Sequence, residues 1–294
     1  MSHKAQDTGT DQFLMARPRL FAVAYRMLGS VADAEDILQD AYLRWQAVSG
    51  DGVRDPTAYL VRVVTRLCLD QLKSARVKRE TYTGAWLPEP LLTEDPVEAL
   101  DHDVSVALLL ALERLTPLER AAFLLHDVFG NSHDDVARAL DRSAASCRQL
   151  VSRARRHVQA ERPRAKMPPE ESRALTEAFF RASKTGDMAA LTQLLAENVE
   201  MVSDGGGKAT AALNPIYGRD KVMRLAAGLS RKSGARLPAR WRFAMLNGLP
   251  AILSLEPEGL VQATALEIRD GRIARVYVIR NPEKTAHLAP ALQA

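Results

Sequence analysis

Apolar positions between residues 13 and 46 recur at helical spacing. Leu20, Val23, Ala24, Met27 and Leu28 form one stripe, and Gly29-Ser30 marks where it stops. A second helix is predicted from Val31 to Trp45, with Ile37, Leu38, Ala41 and Tyr42 opposite a row of carboxylates. A loop rich in Gly, Asp and Pro (SGDGVRDP, 49–56) leads into a third helix from Pro56 to about Lys78, whose proline sits in the first turn, where a missing N–H costs nothing. A second helical block is predicted over 97–162. In it, Thr116-Pro117 has the N-cap then N1 arrangement, and a helix over 132–140 ends at Asp141-Arg142. The last helix of the block, 143–161, carries Cys147, Leu150, Val151 and Ala154 on one stripe.

After Glu170 the pattern changes. Helices at 170–186, 187–196 and 219–231 are followed by strand-like segments at 239–246, 250–256, 260–268 and 272–280. Gly248, Pro257-Glu258-Gly259 and Asp270-Gly271 punctuate them, and Asp-Gly is a strong hairpin signal. This predicts an antiparallel meander with helices on one curved sheet. The fold class is therefore multidomain, two all-α domains and a C-terminal α+β domain. The expected boundaries are 11–80, a linker at 81–100, 101–162, a second linker at 163–169, and 170–294. The first linker holds three prolines within 81–97, and Trp86 and Leu87 make it stickier than a plain spacer.

Composition adds exclusions. The 294 residues are 47% hydrophobic and 26% charged, which rules out disorder and fibrous classes. The longest apolar run, Val104–Leu112 with one Ser, is too short to span a bilayer, and MSHKAQDTGTDQ holds no apolar signal core, so a cytoplasmic protein with no membrane partner is expected. Cys68 and Cys147 lie 79 positions apart, which suits neither a disulfide framework nor a cysteine zinc site. His126, Asp127, His133 and Asp134 resemble a metal cluster, but Phe129-Gly130-Asn131 intervenes and placement or capping is the better reading; no metal and no cofactor is expected.

Charge is more informative than the net +4. Residues 142–166 carry eight Lys/Arg against Glu161, and residues 62–80 carry six against Asp70 and Glu80. Asp33, Glu35, Asp36 and Asp40 stand together without a base. Two basic clusters suggest two contacts with a polyanion, and the acidic helix suggests a basic protein partner. A helix, a tight turn at Asp141-Arg142-Ser143 and a second helix showing Arg148, Gln149, Ser152, Arg153, Arg155 and Arg156 is also helix-turn-helix patterning. Three-helix patterns of this kind occur in protein-binding bundles as well.

Two stretches, AYRMLGSVADAEDILQDAYLRW and DPTAYLVRVVTRLCLDQLKSARVKRE, resemble region two of the extracytoplasmic-function (ECF) sigma factors of the sigma-70 family. LERLTPLERAAFLLHDVFGNSHDDVARAL and DRSAASCRQLVSRARRHV resemble region four. WLPEP (86–90), DGGGK (204–208) and NPEK (281–284) narrow the match to the subgroup with a fused SnoaL-like domain. The resemblance implies that Asp33, Asp36, Gln39, Asp40 and Arg44 grip core RNA polymerase, whose β and β′ subunits are the expected partners. It implies that the loop 49–55, with Arg54 and Asp55, captures a flipped base of the −10 element. Arg62, Thr65, Arg66, Lys73, Arg76, Lys78 and Arg79 would lie on that element, largely on phosphate. Arg142, Ser143, Ser146, Arg148, Gln149, Ser152, Arg153, Arg155 and Arg156 would bind the −35 element of promoter DNA. Arg66 and Arg142 depart from the family, which usually has Asn and an aliphatic residue there.

In that subgroup the motifs Trp86, Leu87, Pro88, Glu89, Pro90, then Asp204, Gly205, Gly206, Gly207, Lys208, and Asn281, Pro282, Glu283, Lys284 bring the extension against the sigma regions and linker, implying intramolecular control of transcription initiation. SnoaL-like cones also include isomerases and cyclases, whose chemistry needs a poised acid/base pair. Asp204, Tyr217, His287 and Glu267 are the scattered candidates; no catalytic residue and no enzyme activity is expected. A phosphate-cradling role for DGGGK fails on spacing, because Lys208 is followed by Ala209. Two rivals remain: a one-component DNA-binding regulator sensing an unidentified small molecule through its SnoaL-like domain, and a SnoaL-type isomerase or cyclase with a DNA-binding appendage.

Overall fold

The computed structural model describes residues 2–48, 53–80, 82–93, 105–158 and 167–293, with the backbone alone at 2–8 and 74–80. Residues 49–52 of the expected base-capturing loop, the side chains of Arg76, Lys78 and Arg79, and residues 163–166 of the second linker lie outside the described set. The chain divides into two compact units, residues 1–80 with 107–162 and residues 81–106 with 163–294.

The first unit opens with helices α1 (Ser2–Leu28), α2 (Val31–Val48) and α3 (Pro56–Glu80). Leu20, Met27 and Leu28 pack with Ile37, Leu38 and Trp45 and with Leu60, Val64 and Cys68, all essentially out of water. Helix α1 begins well before the expected residue 13, and the Trp45 indole N–H donates to the Gly9 carbonyl at 2.7 Å across that extension. Gly29 turns the chain between α1 and α2 with φ of +69°, a conformation that costs glycine little.

Helices α4 (Val106–Glu113), α5 (Pro117–Phe123), α6 (His133–Leu140) and α7 (Ala144–Val158) follow, with a π turn over Leu124–Val128. Thr116 and Ser132 head α5 and α6 with reciprocal capping boxes to Glu119 and Asp135. Asp141 ends α6 in the left-handed conformation, φ 55° and ψ 53°, so the turn into α7 forms without a glycine.

In the second unit α8 (Pro169–Thr185), α9 (Met188–Leu194) and α10 (Arg219–Lys232) accompany a six-stranded sheet. Its strands are β1 (Leu195–Asp204), β2 (Ile216–Tyr217), β3 (Arg240–Leu246), β4 (Leu249–Leu255), β5 (Val261–Arg269) and β6 (Arg272–Ile279), ordered β2-β1-β6-β5-β4-β3. The four expected strands β3–β6 form the antiparallel meander, with left-handed Asn247-Gly248 and Asp270-Gly271 at two of its hairpins.

Strand β1 corrects the expected layout: it runs parallel to β6, so the sheet is mixed. It follows α9 with no turn residue between them, and a register shift between Leu195 and Glu200 breaks the alternation by which a strand is recognised. Phe179, Leu191, Val199, Val222, Leu266, Ile273 and Val276 make the core between helices and sheet. A short helix α11 (Pro282–Thr285) follows β6.

Candidate functional site

The outer face of α7 is exposed where the expected DNA-reading residues stand. Arg142, Arg148, Gln149, Ser152 and Arg156 all face solvent, while Cys147, Leu150, Val151 and Ala154 are buried. Arg148 and Arg156 carry no ion pair among the described residues. Arg153 and Arg155 do: Arg153 pairs with Glu119 at 2.9 Å, and Arg155 donates through Nε to Asp127 at 2.8 Å. Against a burial that alone would raise it, Thr116 and Arg153 hold the Glu119 carboxyl below its usual range. Ser143 is a helix cap, its hydroxyl accepting from the Ser146 amide at 3.2 Å. His126 and His133 stack with ring centroids 3.9 Å apart, and the His126 Nδ1 lies 2.8 Å from the Asn131 carbonyl. Among the described residues no group of three His, Cys, Asp or Glu is placed to hold a metal.

On α2, Asp36, Gln39, Asp40 and Arg44 form an exposed polar face, with Asp33 half-buried beside Gln71. On α3, Arg66 and Lys73 are exposed and Arg62 lies 5.4 Å from the Tyr59 ring. Thr65 is a correction. It is completely buried and its hydroxyl donates to the Val61 carbonyl at 2.7 Å, so it cannot reach DNA from this conformation. The residue lies on the Val61, Cys68 and Leu72 stripe, a helical spacing that already marks it as core. Asp55 caps α3, accepting from the Ala58 amide at 2.9 Å, and Arg54 is exposed.

A feature outside the sequence reading is Arg120. It is 3% exposed, and its guanidinium donates to the Met27 carbonyl at the end of α1 and to Glu113 at 2.8 Å. Burial lowers its pKa to about 10, which still leaves it charged at neutral pH. Arg19 adds a bond to Asn131 at 2.9 Å, and α3 touches both α5 and α6. The α1–α3 and α4–α7 groups are thus held together in this unit.

The second unit contains the most highly organised polar cluster. Asp204, at the end of β1, is fully buried. Its carboxylate accepts from the Tyr82 hydroxyl at 2.6 Å, the Leu87 amide at 2.8 Å and the Lys284 ammonium at 2.7 Å. Lys284 also donates to the Leu87 carbonyl at 2.6 Å, and its ammonium lies 4.4 Å from the Trp86 ring centre and 4.9 Å from that of Tyr82. Asn281 donates to the Tyr82 hydroxyl at 2.9 Å and caps α11. Burial, then the adjoining Asp204 carboxylate, raises the Tyr82 phenol well above its ordinary pKa, keeping it a donor.

The glycines explain themselves in this setting. Gly206 has φ of +59°, and a Cβ there would collide with the Asn281 amide and meet the Tyr82 hydroxyl at 3.0 Å. Lys208 pairs with Glu283 across the same corner. Downstream, the linker continues along the unit: His287 meets the Pro90 carbonyl at 2.8 Å, and Leu91 exchanges bonds with Asn247. Leu92 pairs with Leu246, at the tip of the β3–β4 hairpin. Residues 82–93 are therefore bound along their length rather than acting as a spacer. The motifs WLPEP, DGGGK and NPEK were visible in the chain; Tyr82 and Asn247 carried no signal of their own.

The scattered acid/base candidates do not converge. Asp204 is consumed by the clamp, Tyr217 is exposed, and His287 holds the linker. Glu267 lies on the sheet face opposite Leu266, tied to Arg269, Arg275 and Tyr277. No helix among the described residues is long and apolar enough to cross a membrane.

Comparison with known proteins agrees with both halves of this geometry. Residues 13–77 match the Sigma-70 region 2 family and residues 105–158 match Sigma-70, region 4. The chain is 38% identical over 291 residues to the ECF RNA polymerase sigma factor SigJ of Mycobacterium tuberculosis, covering 93% of this chain and 92% of that protein. It is 33% identical over 273 residues to the probable ECF RNA polymerase sigma factor SigI of the same species, covering 90% and 91%. The crystal structure of the M. tuberculosis extracytoplasmic function sigma factor SigJ superposes with a TM-score of 0.77 at 36% identity, over 94% of this chain and 98% of that one. An exposed helix-turn-helix, an acidic helix face and a clamped linker thus occur in a chain that belongs to the extracytoplasmic-function RNA polymerase sigma factors.

Proposed function

We propose that this sigma factor divides its work among the surfaces described above, with the C-terminal domain controlling the rest through the linker. The exposed face of α2 (Asp36, Gln39, Asp40, Arg44), with the half-buried Asp33 at its edge, engages the β′ coiled coil of core polymerase. The bases of α3 hold the −10 element, chiefly through phosphate, and Arg142, Arg148, Gln149, Ser152 and Arg156 meet the −35 element. Arg153 and Arg155, already paired with carboxylates, contribute less. Elements two turns of duplex apart are separated by about 70 Å. Because α3 touches α6, binding both at once requires the two helical groups to part.

The observation that carries the control reading is the capture of Leu87 on both its amide and carbonyl by Asp204 and Lys284. A linker held this way sets how freely the helical groups separate. The test is in vitro transcription with purified core polymerase, comparing the full chain, a truncation after Arg164, and Asp204→Asn. Promoter-specific transcript is expected only when the chain is present, and truncation and Asp204→Asn are expected to shift output in the same direction. Equal output from all three forms removes the control reading. Salt-sensitive promoter binding without polymerase, and no transcript, would favour the one-component regulator.

A further inference from the structure

Helix α10 ends, and edge strand β3 begins, in a segment that carries charge of one sign only. Residues 230–242 (SRKSGARLPARWR) hold Arg231, Lys232, Arg236, Arg240 and Arg242 and not one Asp or Glu. All five are exposed. Arg231, Lys232, Arg236 and Arg240 make no ion pair among the described residues, and the neighbouring Glu258 is bonded to Arg280. Arg242 donates to two carbonyls, Ala291 at 2.7 Å and Phe243 at 3.4 Å, and to no carboxylate among the described residues. From α8, Arg181 adds a sixth exposed cation, stacked 4.9 Å from the ring centre of Trp241.

Local structure accounts for part of this. Two bases at a helix C-terminus complement its dipole, and charged residues on an edge strand oppose edge-to-edge pairing. Neither requires a patch without carboxylates, and Arg236 sits in the loop, on neither element. Several other bases of this unit do find acids: Arg173 with Glu177, Lys208 with Glu283, Arg219 with Glu197. Cations left unpaired and close together favour a polyanion, whose binding releases condensed counterions. Promoter DNA is the polyanion that a sigma factor meets.

We propose that Arg231, Lys232, Arg236 and Arg240 form a third DNA-contacting surface, in the C-terminal domain, that grips duplex phosphates without reading sequence. The surface is separate from the −10 and −35 helices, and its contacts add affinity at any promoter.

The first measurement is fluorescence anisotropy of the full chain, without polymerase, on a labelled duplex of unrelated sequence from 50 to 400 mM salt. The variant carries Arg231→Ala, Lys232→Ala, Arg236→Ala and Arg240→Ala. Each lost phosphate contact lowers the slope of log K against log salt by about 0.9. The slope is therefore expected to fall by roughly 2 to 4, with the largest affinity loss at low salt. The matching triple variant, Arg231→Lys, Arg236→Lys and Arg240→Lys with Lys232 retained, is expected to keep the wild-type slope and guards against a folding defect in the alanine form. An unchanged slope overturns the proposal. So does a loss confined to binding of DNA-free core polymerase, which would assign the patch to an acidic protein face. Failure of the wild-type chain to direct transcription would instead count against the promoter-directing role, because the polymerase-free slope is read independently of it.

Discussion

The outer face of α7 and the clamp around Asp204 are both built from charged and polar side chains, and they differ in how those groups are satisfied. On α7, Arg148, Gln149, Ser152 and Arg156 stand in water, and Arg148 and Arg156 have no ionic partner among the described residues. At Asp204 the carboxylate accepts three bonds in a site with no solvent exposure, and each donor is tied down by a second contact or by the chain itself. A surface meant for an external ligand keeps its donors solvated until binding, at little cost. A buried charge must have its partners in place, because an unpaired one costs several kcal/mol. The first region is built to change partners and the second to hold one.

The sharpest way to break that contrast is Asp204→Asn. It removes the carboxylate charge that pairs with Lys284 beside the Tyr82 and Trp86 rings, and a loss of about 3 kcal/mol is expected in the stability of linker docking. Hydrogen exchange over residues 82–93 reads it: amides at Leu87 and Leu91 should lose protection, and unchanged protection would mean that the clamp does not secure the linker.

Arg120→Met is expected to cost about 2 kcal/mol, from lost charged hydrogen bonds to Met27 and Glu113. A lower thermal midpoint for the first unit, with easier separation of its two helical groups by scattering, is the expected result. A stabilised variant would show that burying this cation was a net cost.

Arg148→Ala makes the opposite kind of change. Stability should move little, since the side chain is exposed, while discrimination among −35 variants weakens by about 1–2 kcal/mol. Equal loss on every promoter variant would reassign Arg148 to phosphate.

The smallest effect is set by His133. Burial first, then the fields of His126, Arg148 and Arg155, lower its pKa, with Asp127 opposing them. The unfolded chain then binds the proton more readily, so stability is fully present above the ordinary histidine pKa of about 6.5 and declines as pH falls below it. Melts between pH 5 and 8 should show that decline, and His133→Gln should flatten it.

Much of this was legible in the chain. Helical periodicity located α2, α3 and α7 and separated their apolar stripes from their charged faces, and Asp141 and Asp270-Gly271 marked turns that the backbone does take with positive φ. The motifs WLPEP, DGGGK and NPEK pointed to the right residues for the clamp. Thr65 was misplaced although its spacing from Val61 and Cys68 put it in the core; a polar residue type outweighed a period that was already informative. Strand β1 was missed because its bulge interrupts alternation, and its partner β6 lies some 75 residues on, beyond any local signal.

Local pattern, charge and motif were thus enough, from the sequence alone, to determine the helical groups, the helix-turn-helix, the meander and the family. Tertiary structure alone decided that Asp204 takes its donors from Tyr82, Leu87 and Lys284, that Arg120 reaches Met27, and which arginines on α7 are already paired. The reason is physical. Periodicity reports which side of an element is buried, whereas hydrogen bonds between residues 80 to 200 positions apart depend on how whole elements pack, which no window of sequence contains.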